Sequence, residues 1–293
     1  MHTPDGFITG PICIILMLLA AAPIALALRN LHRTATRQKA HMIALVAVVI
    51  FLAQMLNFPI AEGTSGHLIG ASFALLVLGV DAAVIAMALV LITQTLVFGD
   101  GGMLALGANI FNMAIIGVYA ADYAYKKLPV EGNWRIFAIA AVSVLAASAV
   151  CALELAASGT AQLWTVLQAM ASTHALIGLG EGLLTVALAG VFCSRLENLS
   201  LRTALTLSGF SFLALALALP FASGAPDGLE RVAINLGFFS NAIEIYSAPL
   251  QDYGLAVLES IPYFATLSAA LIGSVILFSL PHLMIRLSPS LPS

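Results

Sequence analysis

The chain has 293 residues, 61% of them hydrophobic and only 9% charged, with 11 Lys and Arg against 14 Asp and Glu for a formal net charge of −3. Its mean hydropathy of +1.05 lies far outside the range of a soluble globule. A water-surrounded domain is excluded, and an all-α protein that crosses a membrane many times is expected.

The first chemical signal comes at the N-terminus. Met1-His2 offers three nitrogens from two residues: the α-amine, the His2 amide and the His2 imidazole. On one cation they form fused chelate rings, and a strong enough metal ionises an amide that would stay protonated in water. The bulky second residue disfavours removal of the initiator, so Met1 is expected to stay. A histidine at position 2 alone would mean little, because most single histidines are surface or satisfied core groups.

Apolar stretches follow at residues 8–28, 42–60, 68–79, 82–98, 103–123, 136–157, 174–192, 204–221 and 263–285. A bilayer core of about 30 Å needs roughly 20 such residues per helix. The first stretch has no basic segment before it and no small-residue cleavage site after it, so it is read as a retained helix rather than a signal peptide. Residues 68–79 are short for a span. Joining them to 82–98 would make one helix longer than the membrane is thick.

Basic residues set the orientation. Arg29, Arg33, Arg37 and Lys39 follow the first stretch, Lys126, Lys127 and Arg135 separate the fifth and sixth, Arg195 and Arg202 the seventh and eighth, and Arg286 follows the ninth. Nine spans with the N-terminus outside make all of these cytoplasmic and leave Arg231 external. Met1-His2 and the loop 60–67, with Gly63-Thr64-Ser65-Gly66-His67, then face the same outer compartment. His67 would complete a planar four-nitrogen set, the geometry Ni(II) and Cu(II) favour. Glu62 is either a solvated loop acid or an attractive charge beside His67. Cys13, Cys151 and Cys193 fall in the apolar regions, against a disulfide framework or a thiolate site.

Several polar groups interrupt the spans, where they are costly and usually pair or line a pathway. Glu154, His174, Glu181 and Asn112 are read as a hydrogen-bond network between helices. Asn57 and Asn109, nearer the outer mouth, are candidates to hold a ligand imidazole by its other nitrogen. Ala21 and Ala25 have the spacing of a small-residue helix contact. The loop 222–262 divides the chain into residues 1–202, a seven-helix unit with the histidines, and 203–293, a two-helix hairpin with an external loop. Pro226-Asp227-Gly228 is a turn signal that echoes Pro4-Asp5-Gly6.

No phosphate-binding Gly-x-x-x-x-Gly-Lys motif occurs, and the chain has only Lys39, Lys126 and Lys127 to make one. No catalytic constellation is visible, so no enzyme activity, catalytic residue or organic cofactor is expected. The energy for any transport has to come from elsewhere.

Met1-His2-Thr3-Pro4-Asp5-Gly6-Phe7, Gln54-Met55-Leu56-Asn57-Phe58-Pro59-Ile60 and Gly63-Thr64-Ser65-Gly66-His67-Leu68-Ile69-Gly70 together closely resemble the CbiM/NikM family. These are the metal-specific membrane subunits of energy-coupling-factor importers for cobalt and nickel. The likeness continues through Phe98-Gly99-Asp100-Gly101-Gly102, Ala105-Leu106-Gly107-Ala108-Asn109, Cys151-Ala152-Leu153-Glu154-Leu155 and His174-Ala175-Leu176-Ile177-Gly178-Leu179-Gly180-Glu181. Pro226-Asp227-Gly228-Leu229-Glu230-Arg231 resembles the PDGLE domain, related in role to the CbiN/NikN accessory subunit. Thr3 stands where the family would carry isoleucine.

The resemblance implies metal ligation by the Met1 amine, the His2 amide and imidazole, and His67, with Ni(II) or Co(II) as transported substrate. It also implies a CbiQ/NikQ-type transmembrane coupling protein, CbiO/NikO-type ATPases and a prokaryotic plasma membrane; no nucleic acid is expected as a partner. The competing reading from the residues is a self-sufficient secondary carrier in which Glu154 and Glu181 relay protons.

Overall fold

The computed structural model describes residues 1–34, 36–61, 63–193 and 199–286. Glu62, Arg195 and the segment beyond Arg286 therefore lie outside the described residues. With no water in a bilayer core, backbone donors and acceptors must pair within the chain, which drives the apolar stretches into helices. In chain order these are α1 (Gly10–Thr34), α2 (Arg37–Gln54), α3 (Ala71–Leu78), α4 (Val80–Thr93), α5 (Leu106–Asn109), α6 (Gly117–Lys127), α7 (Gly132–Ala157), α8 (Leu163–Phe192), α9 (Leu201–Ala218), α10 (Gly228–Leu236) and α11 (Pro262–Arg286). A single pair of two-residue strands, β1 (Phe58–Pro59) and β2 (Ser65–Gly66), interrupts the helices, antiparallel with Phe58 opposite Gly66.

Among the described residues seven helices are long and apolar enough to cross a membrane: Gly10–Thr34, Arg37–Gln54, Val80–Phe98, Gly132–Ala157, Leu163–Phe192, Leu201–Phe221 and Pro262–Met284. Two of the nine expected spans differ. Residues 68–79 hold only the eight-residue α3, about 12 Å long at 1.5 Å per residue. The rest is extended chain from β2 to Gly70. The expected break at residue 79 is present, because Gly79 has φ +73 and ends α3 in a conformation that glycine takes without Cβ strain. Residues 103–123 become α5 and α6 joined by a π turn at Ile110–Ile116. α8 starts at Leu163 rather than near residue 174, its first turn capped by Gln162 accepting from Thr165 N–H.

Small residues set the helix contacts. α1 lies against α5 at Gly107, where an added Cβ would stand 2.6 Å from Met17 Cα. The buried face of α1 is Cys13, Leu16, Ala20 and Ala27, whereas Ala21 and Ala25 are exposed and carry no such contact. α7 packs along α8, and α9 and α11 both lie along α2, most of whose residues are buried. Asn30 near the end of α1 donates to Asp81 at the start of α4 at 3.1 Å, and Asp100, past the far end of α4, returns to His2. α4 therefore runs back beside α1 toward the N-terminus. Between α10 and α11 the chain is irregular and folds over this same end, with Ile243 N–H on Asp5 C=O and Leu250 N–H on Val97 C=O, each at 2.9 Å.

Candidate metal centre

Met1 is drawn inward because the next residues are tied down by backbone hydrogen bonds. Thr3 N–H donates to Asn109 Oδ1 at 2.8 Å, while Thr3 C=O accepts from Asn109 Nδ2 at 3.1 Å and Gly102 N–H at 2.9 Å. The Asp5 carboxylate accepts the N–H groups of Met103, Leu104 and Ala105 at 2.9, 2.8 and 3.0 Å. Those donors lie in the turn just before α5, whose N–H groups would otherwise lack partners. Thr160 Oγ1 closes the segment by donating to Phe7 C=O at 2.6 Å. Met1 and Thr3 are buried as a result.

The segment carrying His67 is extended, so its backbone needs partners from outside. Glu181 on α8 accepts Ile69 N–H at 2.6 Å and Gly70 N–H at 2.8 Å, and Gln54 Nε2 donates to Ile69 C=O at 2.8 Å. These satisfy backbone groups that burial would otherwise leave orphaned. His67 Nδ1 lies 3.0 Å from Leu68 C=O. A carbonyl only accepts, so Nδ1 carries the proton and Nε2 offers its lone pair. That lone pair faces the Met1 amine at 3.0 Å, from 66 positions away in sequence.

The His2 ring stacks on His67 with centroids 5.2 Å apart and planes 26° from parallel. Its Nε2 lies 3.2 Å from Gln94 Oε1 and its Nδ1 3.3 Å from Asp100 Oδ1. Tyr253 supports both partners, donating to Asp100 Oδ2 at 2.6 Å and accepting from Gln94 Nε2 at 3.4 Å.

A carboxylate from the tail completes the cluster. Asp227 Oδ2 lies 2.7 Å from the Met1 ammonium and 3.9 Å from His67 Nε2. Its other oxygen accepts Glu230 N–H at 2.8 Å, and Glu230 answers by accepting Asp227 N–H at 3.0 Å. This capping box starts α10 and contributes about 1 kcal/mol to it. Ser65 ties the same turn to β2, its N–H on Pro226 C=O at 2.9 Å and its hydroxyl on Ala225 C=O at 2.7 Å. Arg231 donates to Gly63 C=O in the same loop.

Electrostatics keep the imidazoles neutral. Burial, then the Met1 ammonium and His2, push His67 down to about 3, outweighing the attraction of Asp227. Burial lowers His2 as well, aided by the ammonium and opposed by Asp100. For Asp227 burial alone would raise the carboxyl. The ammonium, His67 and the hydrogen bonds it accepts win, holding it below the ordinary carboxylate range. The His67 ring therefore presents its Nε2 lone pair beside an anion.

Met1, His2 and His67 are thus brought together, while the two asparagines are placed differently from expectation. Asn109 grips the backbone of Thr3 rather than an imidazole. Asn57 accepts Ser223 N–H on its carbonyl at 2.8 Å, and the second nitrogens of the rings go to Leu68, Gln94 and Asp100 instead. Asn112 Nδ2 donates to Glu154 Oε2 at 2.7 Å. His174 binds only its own helix, Nδ1 to Met170 C=O at 2.9 Å, and its Nε2 has no partner among the described residues. Asp227, Asp100, Gln94, Tyr253 and Asp5 were not anticipated. The repeated Pro-Asp-Gly was the available signal, since both of its aspartates accept backbone N–H groups at the site, Asp5 from Leu104 and Asp227 from Glu230.

Among the described residues no three His, Cys, Asp or Glu side chains gather to hold an ion. The family model for the cobalt uptake substrate-specific transmembrane region, CbiM, matches residues 2–199. A putative fused nickel transport protein NikMN of Archaeoglobus fulgidus is 33% identical over 98% of both chains. The fused nickel transport protein NikMN of Rhodobacter capsulatus is 30% identical, covering 92% of this chain and 93% of its own. The crystal structure of a truncated transition metal transporter superposes with a TM-score of 0.61 at 27% identity, over 67% of this chain and 99% of that one. Its helices, its N-terminal sequence and a family match that runs through most of its length agree: the chain belongs to the CbiM family.

Proposed function

We propose that the chain is the substrate-binding membrane subunit of an ATP-driven importer of nickel or cobalt. The carrying observation is the 3.0 Å approach of His67 Nε2 to the Met1 amine. Metal–nitrogen bonds of about 2.0 Å put adjacent donors roughly 2.8 Å apart. The two nitrogens are already spaced as neighbours around one ion. Capture replaces the ammonium proton by the cation, the His2 amide gives up its proton, and the His2 imidazole closes the second chelate ring. The neutral rings cost no deprotonation, and the Leu68 carbonyl fixes the His67 tautomer as a good donor requires.

The membrane orientation follows from the basic residues, with Met1 and His67 near the outer side. Energy comes from partners, a CbiQ/NikQ-type coupling protein and CbiO/NikO-type ATPases, since the chain lacks a phosphate-binding loop. Nickel names on the fused relatives and cobalt on the family model support a divalent transition metal as cargo. A secondary carrier would rely on Glu154 and Glu181, yet one is bonded to Asn112 and the other to the Ile69 and Gly70 amides. The test is metal analysis of the purified chain with Ni(II) and Co(II) in competition. Wild type should hold one ion tightly and His67→Ala should lose it while remaining folded; equal affinity in the two would overturn the site.

A further inference from the structure

Beside the Met1 amine lies a small cavity of about 10 Å³, room for one water-sized body. Met1, His67, His174, Asp227, Ile177 and Gly228 line it. Of these, His174 is the group left unexplained. It is 1% exposed, and its Nε2 is buried without a partner among the described residues. A buried nitrogen in that state is unfavourable unless something fills its need. Its Nδ1 proton is fixed on Met170 C=O at 2.9 Å, so Nε2 is the bare lone pair. His67 is set in the same way, with Nδ1 on Leu68 C=O. An imidazole whose far nitrogen donates to a carbonyl is oriented and made more basic, as metal-binding histidines are. Across the cavity Asp227 offers Oδ2, the oxygen its helix cap does not use. Gly228 keeps the approach open, because a Cβ there would stand 3.1 Å from His174 Nε2.

We infer that this cavity is a second cation station, in which the ion binds His174 Nε2 and the Asp227 carboxylate beside the chelating site of Met1, His2 and His67. It rests on the reading of the chain as a metal carrier. Two protein donors, one imidazole and one carboxylate, suit a borderline divalent ion that itself fills the cavity, and make the station weaker than the chelate. In the empty protein Asp227 is held by the Met1 ammonium. A cation that takes the chelate displaces the ammonium proton and frees Asp227 from its ion pair; one entering the station meets the carboxylate directly. Adjacent stations of unequal strength give the ion a step between solvent and chelate.

The test uses Co(II) alone as probe, on the purified full chain with a free or an acetylated N-terminus, followed by visible absorption and equilibrium dialysis. Acetylation removes the terminal donor with its chelate ring and the ion pair to Asp227 together. The acetylated chain should still take one Co(II), more weakly than the free chain, and His174→Asn or Asp227→Asn should each lower that residual affinity by about tenfold or more. Asn at 174 retains a donor for Met170, and Asn at 227 retains the helix cap. X-ray absorption of the acetylated chain should show an imidazole on cobalt that is lost in His174→Asn and kept in His67→Ala. No Co(II) on the acetylated chain, or residual binding unchanged in His174→Asn, overturns the station. If the free chain binds one ion and the acetylated chain none, the carrier reading stands and this inference alone fails. If the free chain binds none, both fail.

Discussion

The Met1 ammonium and the Asp227 carboxylate form a buried ion pair at 2.7 Å across 226 positions of sequence. The pair places the tail directly on the nitrogen that the proposed site would use as its terminal donor. It also ties the entrance of the site to the start of α10, where the other oxygen of Asp227 caps the helix.

Acetylating Met1, or extending the chain by one residue before it, should lower affinity for nickel at least about a hundredfold, because the terminal donor and its chelate ring are lost. Isothermal titration on the blocked and free proteins measures this. Retained tight binding in the blocked protein would exclude the amine as a ligand.

Metal affinity should fall as pH falls, and the sign follows from proton competition. The amine and the His2 amide release protons on binding, so affinity should change by up to about a hundredfold per pH unit. His67 adds nothing to this slope near neutrality, because burial holds it at about 3. It should therefore contribute no break near pH 6.5. Titrations between pH 5.5 and 8, at values of roughly this range where free imidazole would titrate, check it; a break there from His67 would mean that its ring is protonated in the empty site.

Asp5→Ala should weaken metal binding although Asp5 touches no proposed ligand. It strips the acceptor from three backbone N–H groups and frees the N-terminal segment, a loss of about 1–3 kcal/mol. Asp5→Asn should recover part of it. Thermal unfolding in detergent alongside nickel titration separates the two effects, and an unchanged affinity would show that the segment is held by Thr3 and Asn109 alone.

Ending the chain after Arg202 should leave a protein that still holds metal when given excess but loads it slowly. The cut removes Asp227, and Tyr253 with its hold on Asp100 and Gln94, while leaving Met1, His2 and His67. Uptake at wild-type rate at low external metal, with the ATPase partners present, would show that the tail has no part in loading.

Much of the helical frame was legible because hydropathy reports burial in lipid directly, and seven of the stretches emerged as long helices. Residues 68–79 misled because the passage there is made partly by extended chain whose hydrogen bonds come from Glu181 and Gln54, groups remote in sequence. The start of α8 was hidden by Gln162, Thr165 and Ser172, polar residues that a hydropathy window reads as loop. Met1, His2 and His67 could be named from residue type and motif. Asp227 could not, because its role depends on a contact 226 positions away. Asn109 was noticed for its polarity, but its task, gripping both sides of Thr3, is one of backbone geometry that composition does not encode.

The pairing of Met1 with Asp227 also bears on how the protein is made. Synthesis delivers the two partners at opposite ends of its course, the amine with the first residue and the carboxylate only after α1 to α9 have been threaded into the bilayer. Until then the N-terminus has neither its counter-ion nor the turn that Ser65 receives from Pro226. A chain ended before Pro226 therefore lacks both that counter-ion and that turn.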